Sequence, residues 1–419
     1  MKVLQQCVSL LWVGLALVAG SLSVTAGEQD QDLQEVLVTG SRVISNGNNS
    51  PTPVTVISTS ELLEMQPTTV AAALQNIPVF QGSMGQNTGT GGSNAGPNGT
   101  ANAVNIRNLG ITRTLILYDG NRLQPTSDTG AVTLDFVPEM LLQRVDVVTG
   151  GVSAVYGSDA ISGVVNFVTD KSFNGVKLRA QRGESSRHDD RIMDIGIAAG
   201  AGLFDGRGHV EGSFEYFNDP GIFDMSSRSV GNRYVIAGAN IGSSAAAGSA
   251  ANPYTLYGDA RLSSTSFGGL ITNGALNGQS FAANGILAPF RAGAATGTSG
   301  VQVGGDGGYY FNTSLKGALV SRRAFARFDY DLTDSTHFYL QGLGAKYSNT
   351  FQNQSLSFTN VMLSRTNAFL PQAYQTAMGT AANFTLSKIP QQLGPHRSRF
   401  DMESYQLFTG VNGKLGNYG

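Results

Sequence analysis

Apolar and polar positions change their period twice along this chain. From Val8 to Gly20 the residues are apolar apart from Ser9, residues 51–172 carry short mixed runs, and beyond Phe173 apolar and polar residues alternate. Lys2 gives the first region a weakly positive start, and Val24-Thr25-Ala26 before Gly27 fits the small-residue pattern of a cleavage site. Residues 1–26 are therefore expected to be a cleaved export signal. The apolar stretch falls short of the roughly 20 residues that a spanning helix needs.

In the second region Val54–Ile57 reads as a strand, and Ser58 with Glu61 makes a capping box before Leu62 and Leu63, so a short helix follows. A second helix is predicted over Val70–Asn76, ending before Ile77-Pro78 because proline disfavours a helical predecessor. Gly82–Thr100 is a loop of Gly, Asn, Ser and Thr. Three apolar runs follow: Thr114–Tyr118 ahead of the turn signal Asp119-Gly120, Val145–Thr149, and Gly163–Thr169. They predict a small sheet with two helices packed on it, an α+β unit.

In the third region Val176, Leu178 and Ala180 interleave with Lys177, Arg179 and Gln181, and Met193, Ile195 and Ile197 with Asp194 and Gly196. The same holds for Val210–Tyr216, for Ala324, Ala326, Phe328 and Tyr330 between Arg323, Arg327 and Asp329, and for Tyr405–Val411. Segments with one apolar and one polar face are the mark of antiparallel transmembrane β-barrel strands facing lipid and a wet lumen. Phe338–Lys346 joins them through a hairpin turn at Thr333–Thr336. Pro220–Leu319, rich in Gly, Ala, Ser and Asn, is expected to be one long extracellular loop, with a strand or two hidden in it, for example Tyr234–Ile241.

Composition narrows the class. Charged residues are 13% and glycine is 54 of 419, which suits turns and strands better than amphipathic helices. The net charge of −2 gives no reason to expect nucleic acid as a partner. The single cysteine, Cys7, lies inside the signal, so neither disulfides nor thiolate sites are expected in the mature chain. No catalytic residues and no cofactor are expected: no GxSxG surrounds a serine, and the glycine-rich loop lacks the lysine and hydroxyl of a phosphate loop. His188-Asp189-Asp190 reads as a solvated charge run, and His209, His337 and His396 lack metal-ligand spacing, so no metal site is expected. Glu35-Val36-Leu37-Val38-Thr39-Gly40 is a β-prone run in a polar segment with no partner strand nearby, hence available to another protein.

Three ordered motifs carry a family resemblance: ALQNIPVF (Ala73–Phe80), VNIRNLGITRTLILYDGNRL (Val104–Leu123) and VPEMLLQRVDVVTGGVSAVYGSDAISGVVNFVTDK (Val137–Lys171). Over residues 35 to 175 the chain resembles the plug of TonB-dependent outer-membrane receptors. The resemblance implies a signal at 1–26, a periplasmic segment with the TonB box at 27–42, a plug at 43–172, and over 173–419 the first part of a barrel of about 22 strands. It implies that Glu35 to Gly40 form the TonB box gripped by the energy-coupling protein TonB. Arg107 matches the family's IRG arginine, with Asn108 for the usual glycine, and Arg144 matches the arginine of its RVEV strand, with Asp146 for glutamate. Structural or gating roles follow for Arg107, Asp119, Gly120, Arg144, Asp146, Tyr156, Gly157 and Asn166. Thr149 stands where many members carry a second arginine that pairs with barrel glutamates, which leaves that inter-domain cluster without this cation. Loops near Gly82–Thr100 and Gln124–Ala131 correspond to outward plug apices, and Asn87, Asn94, Asn98, Thr126 and Asp128 are their candidate ligand contacts.

The implied function is active, proton-motive-force-coupled uptake of a scarce small molecule across the outer membrane of a Gram-negative bacterium. Siderophore, cobalamin, glycan and peptide remain open as ligand classes, and the partners are TonB and outer-membrane lipid. The alternative is a secreted or surface Gly-rich β-protein with an adhesive role, against which the plug motifs weigh. With six or seven barrel strands in view and an end at Gly419, the chain is expected to be a fragment or truncated product.

Overall fold

The computed structural model describes residues 53–65, 68–86, 101–127, 130–150, 152–228, 236–238, 245–246, 248–282, 285–309, 313–352 and 356–413. The expected export signal, the TonB-box run Glu35–Gly40, and Asn87, Asn94, Asn98 and Asp128 lie outside them.

The N-terminal domain is a five-stranded sheet in the order β1-β4-β5-β2-β3. Its strands are β1 (Val54–Ser58), β2 (Thr114–Tyr118), β3 (Asn121–Arg122), β4 (Leu142–Val148) and β5 (Gly163–Thr169). Helix α1 (Thr59–Met65) starts where the sequence predicts, with the Glu61 amide donating to Ser58 Oγ at 3.2 Å. Helix α2 (Val70–Gln75) starts at Thr69, whose hydroxyl accepts from the Ala72 amide, and Asn76 caps its end. A last helical turn, α3 (Ser153–Tyr156), stops at Gly157, whose φ of +88° a β-carbon would strain. Leu62, Leu74, Phe80, Ile116, Val145 and Phe167 fill the core between helices and sheet.

Six longer antiparallel strands then form a meander, here called the wall: β6 (Gly175–Gly183), β7 (Ile192–Leu203), β8 (Gly208–Asp219), β9 (Ala318–Thr333), β10 (Thr336–Gln352) and β11 (Arg397–Gly413), each paired with its neighbour in sequence. All are long enough to cross a bilayer as tilted strands, which takes roughly 9–11 residues. Register puts Leu178, Ile197, Phe214, Ala324, Gly344 and Tyr405 in one row across all six. Rows toward the tight turns stay apolar, with Val176, Ala326 and Leu407 in the next. The row on the other side holds Arg322, Lys346 and Glu403. Leu178, Phe214 and Leu407 are exposed on this face, while Asp194, Glu211, Glu215, Arg323 and Arg327 are buried on the opposite one.

The long connection over Pro220–Leu319 corrects the expectation of a loop with only hidden strand pieces. Its residues from Ala260 to Tyr309 form seven short strands that share a nine-stranded sheet with Phe358–Ser364 and Asn383–Lys388 of the connection between β10 and β11. Asn383–Lys388 lies inside the sheet, antiparallel to Leu270–Ile271 and bridged in parallel to Ser266. Ile271 and Leu276 from the first connection pack with Leu370, Met378 and Phe384 from the second. The core is shared between two segments far apart in sequence, which a window-by-window reading does not bring together. The predicted strand near Tyr234 is present as Ile236–Gly238, paired with Thr255–Tyr257.

Candidate functional site

Apolar contacts seat the N-terminal domain on the polar face of the wall. Tyr118 meets Phe325 with ring centroids 5.7 Å apart, and Phe136 meets Tyr347 edge-on at 5.0 Å. Met140 lies so close to β7 that a β-carbon at Gly196 would come within 2.6 Å of its sulfur. Burial raises the Tyr118 phenol well above its ordinary pKa, with the neighbouring Asp119 carboxylate adding to the effect, so it stays neutral.

An ion cluster lies at the centre of this interface. Glu139, which follows Pro138 at the entry to β4, directs its carboxylate outward, and Oε1 is 3.0 Å from Arg323 Nη1 of β9. The same oxygen accepts from the Val70 amide at the start of α2. Arg323 Nη2 is 2.9 Å from Glu215 Oε2 of β8, and its Nη1 donates to the Val137 carbonyl at 3.0 Å. Glu215 Oε1 accepts from the amides of Glu139 and Met140 at 2.7 and 2.9 Å. Arg179 of β6 completes the group, 2.8 Å from Asp194 and 3.5 Å from Glu215. Lys177 donates to the Met140 carbonyl, and Ser321 to the Asp135 carbonyl. Glu139, Arg323, Glu215 and Asp194 are all buried. Such charges persist out of water only because each is paired.

This cluster corrects the expectation raised by Thr149. Charges do join domain and wall, with the domain supplying the Glu139 carboxylate and the wall supplying the guanidinium groups of Arg179 and Arg323 together with the carboxylates of Glu215 and Asp194. The inward parity of Arg179, Asp194, Glu215 and Arg323 was legible in the alternation. Glu139 was not, because nothing in the VPEM run marks one carboxylate as a partner for a strand far along the chain.

Beside the cluster, Asp135 accepts from the Asn102 amide and side chain at 3.0 and 2.7 Å and from the Thr133 hydroxyl at 2.8 Å. Burial nonetheless pushes its pKa above the ordinary carboxylate value.

The described residues singled out from sequence lie elsewhere in the domain. Asp119 and Gly120, both with positive φ, turn β2 into β3, and Asp119 accepts from the Thr169 amide while Asn166 Oδ1 accepts from the Gly120 amide at 2.9 Å. Arg122 joins Asp159 and the Tyr156 carbonyl next to Gly157. On β4, Arg144 Nε donates to Asp146 at 3.0 Å, beside the edge strand β1. Arg107 is exposed, and both it and Asn108 have positive φ, which explains how asparagine stands where glycine is usual. Thr126, proposed as a ligand contact, uses its hydroxyl inside its own loop, accepting from the Thr133 amide and donating to the Ala131 carbonyl. The charge run His188-Asp189-Asp190 is not simply solvated: Asp189 pairs with Arg228 and Asp190 with Lys316, tying the β6–β7 connection to the long connection between β8 and β9.

Among the described residues no group of three or more His, Cys, Asp or Glu side chains could hold a metal ion. No described helix is long and apolar enough to cross a membrane, which says nothing of strands.

Comparison with known proteins gives one family model, the TonB-dependent receptor plug domain, over residues 46–164. Solved structures that match include a mutant ferric enterobactin receptor of Pseudomonas aeruginosa in complex with enterobactin, at 13% identity, 87% coverage of this chain and TM-score 0.46. The siderophore receptors PirA and PiuA of Acinetobacter baumannii match at 16% and 15% identity, over 87% and 88% of this chain, with TM-scores 0.43 and 0.38. This chain spans 39%, 38% and 43% of those three chains, respectively. The domain of β1 to β5 is a plug domain of the TonB-dependent receptor family, followed here by antiparallel strands that resemble part of a barrel.

Proposed function

We propose that this chain is the plug and leading wall of a TonB-dependent receptor that takes up a scarce small molecule across the outer membrane of a Gram-negative bacterium. The observation that carries this reading is the seating of a plug domain on a sheet whose other face is a continuous apolar band. A plug held by buried ion pairs can block a pore and still be displaced, because paired charges regain water when they separate. The tight turns at residues 204–207 and 334–335 belong on the periplasmic side and the long connections outside. Residues 1–26 then direct export, 27–42 carry the TonB box, 43–172 are the plug and 173–419 belong to the barrel. Glu35 to Gly40 offer TonB an extended backbone for strand pairing. Asn87, Asn94, Asn98 and Asp128 are placed by this reading on outward plug loops.

The β1 edge suits coupling. It is the first described strand and, among the described residues, pairs with β4 alone, so traction on the segment that precedes it would reach the plug sheet at its edge. The test is growth of a receptor-deleted strain carrying the full-length gene on panels of iron sources and glycans, with and without TonB. Gene- and TonB-dependent growth on one source is expected. Growth on every source unaffected by the gene would overturn the reading.

A further inference from the structure

The two outward connections enclose a cavity of about 560 Å³ that belongs to neither the plug nor the wall. Phe267 and Phe281 line it from the first connection, and Leu363, Phe369, Phe384 and Lys388 from the second. It therefore exists only because the two segments fold into one sheet. The volume lies within the roughly 300–1,000 Å³ typical of small-molecule sites. A second cleft of about 390 Å³ shares Phe267, Gly268, Phe281 and Ala282 with the first, so the aromatic floor continues beyond it.

Two features distinguish this cavity from a packing gap. Phe369, on its rim, is 96% exposed, an unfavourable position for a phenyl ring unless something covers it. Lys388 has no carboxylate within ion-pair distance among the described residues, whereas Arg261 and Asp306 of the adjoining cleft are paired with Asp259 and Arg291. The site thus offers an aromatic and aliphatic surface with, at its edge, a cation that no carboxylate among the described residues pairs.

We propose that this loop subdomain is a binding site for small amphiphilic anions, molecules with a flat apolar body and a single acidic group. The body lies against Phe281 and Phe384, under Phe369, and the acid meets the Lys388 ammonium. Apolar burial supplies the affinity, and the ammonium selects the anion over a neutral molecule of the same shape. Only the outward position of the site rests on the receptor reading; binding needs neither TonB nor an energised membrane, so failure of uptake would leave it standing.

The test uses the full chain in lipid nanodiscs, titrated with 6-fluoro-2-naphthoate and with the neutral 6-fluoro-2-naphthamide, read by fluorine NMR. Saturable binding of both is expected, with the naphthoate tighter. Lys388→Gln should weaken the naphthoate about tenfold, the loss of one charge-assisted contact, and leave the naphthamide unchanged. Ala282→Trp, at an exposed position on the cavity wall, should remove saturable binding of both. Phe369→Ala, which disturbs no core, should weaken both alike. Absence of saturable binding, binding that survives Ala282→Trp, or an equal loss of both probes in Lys388→Gln would overturn the proposal.

Discussion

Glu139 of the plug and Arg323 of the wall lie 3.0 Å apart, both buried, and the same Glu139 oxygen accepts from the first amide of α2. One carboxylate thus ties the plug's second helix to the wall. Removing it leaves Arg323 with Glu215 as its one ion-pair partner among the described residues and takes away the acceptor of the Val70 amide. Glu139→Ala is expected to cost about 3–5 kcal/mol, the usual range for breaking a buried pair. Hydrogen exchange of the plug amides in the full chain would show faster opening around Val70–Gln75; unchanged protection there would mean that the pair does not hold the plug.

The band on the outer face makes a prediction about depth. Ala326 lies one row inside the band and Ala180 lies in the row of Arg322 and Lys346 at its border. Ala326→Arg should cost about 2–4 kcal/mol in folding titrations of the full-length protein into vesicles, and Ala180→Arg about 0–1 kcal/mol. Equal costs would place the hydrocarbon boundary elsewhere.

Coupling should depend on backbone rather than side chains at the TonB box. Val38→Pro removes an amide donor from strand pairing and should abolish energised uptake by the full-length receptor with ligand binding intact. Uptake at the wild-type rate would move the box to another segment.

Asp135 gives the plug a pH dependence of definite sign. Its folded pKa is raised by burial, so the folded plug holds this proton more tightly than the unfolded chain does. The contribution of Asp135 to stability is then greatest below the unfolded carboxylate value of roughly 4 and declines as pH rises through the folded value. Denaturant titrations between these limits should show stability falling with pH more steeply in the wild type than in Asp135→Asn. Parallel slopes would show that Asp135 titrates alike in both states.

The loop subdomain should open as one unit. Met378 comes from the second connection but packs with Ile271 and Leu276 of the first. Met378→Ala is expected to cost about 2–5 kcal/mol and to speed hydrogen exchange in Leu270–Ile271 as well as Asn383–Lys388. A change confined to the second connection would mean that the two fold independently.

What the sequence determined by itself is whatever has a local cause. The Ser58–Glu61 capping box, the Asp119-Gly120 turn and the period-two alternation of the wall depend on neighbours a few residues away, and each appears where its pattern lies. Alternation also identified which parity of β6 to β9 is polar, and the ordered plug motifs pointed to the family. Tertiary structure decided what those inward charges meet. Glu139 carries no local mark of a partner, and only the docking of plug on wall brings it to Arg323 and Glu215. The same holds for the outer connections, where glycine-rich segments that look like solvated loops acquire a shared core, because Ile271 and Phe384 are buried only when strands from both connections lie in one sheet. Burial and ion pairing between distant segments depend on positions in space, which local patterns do not encode.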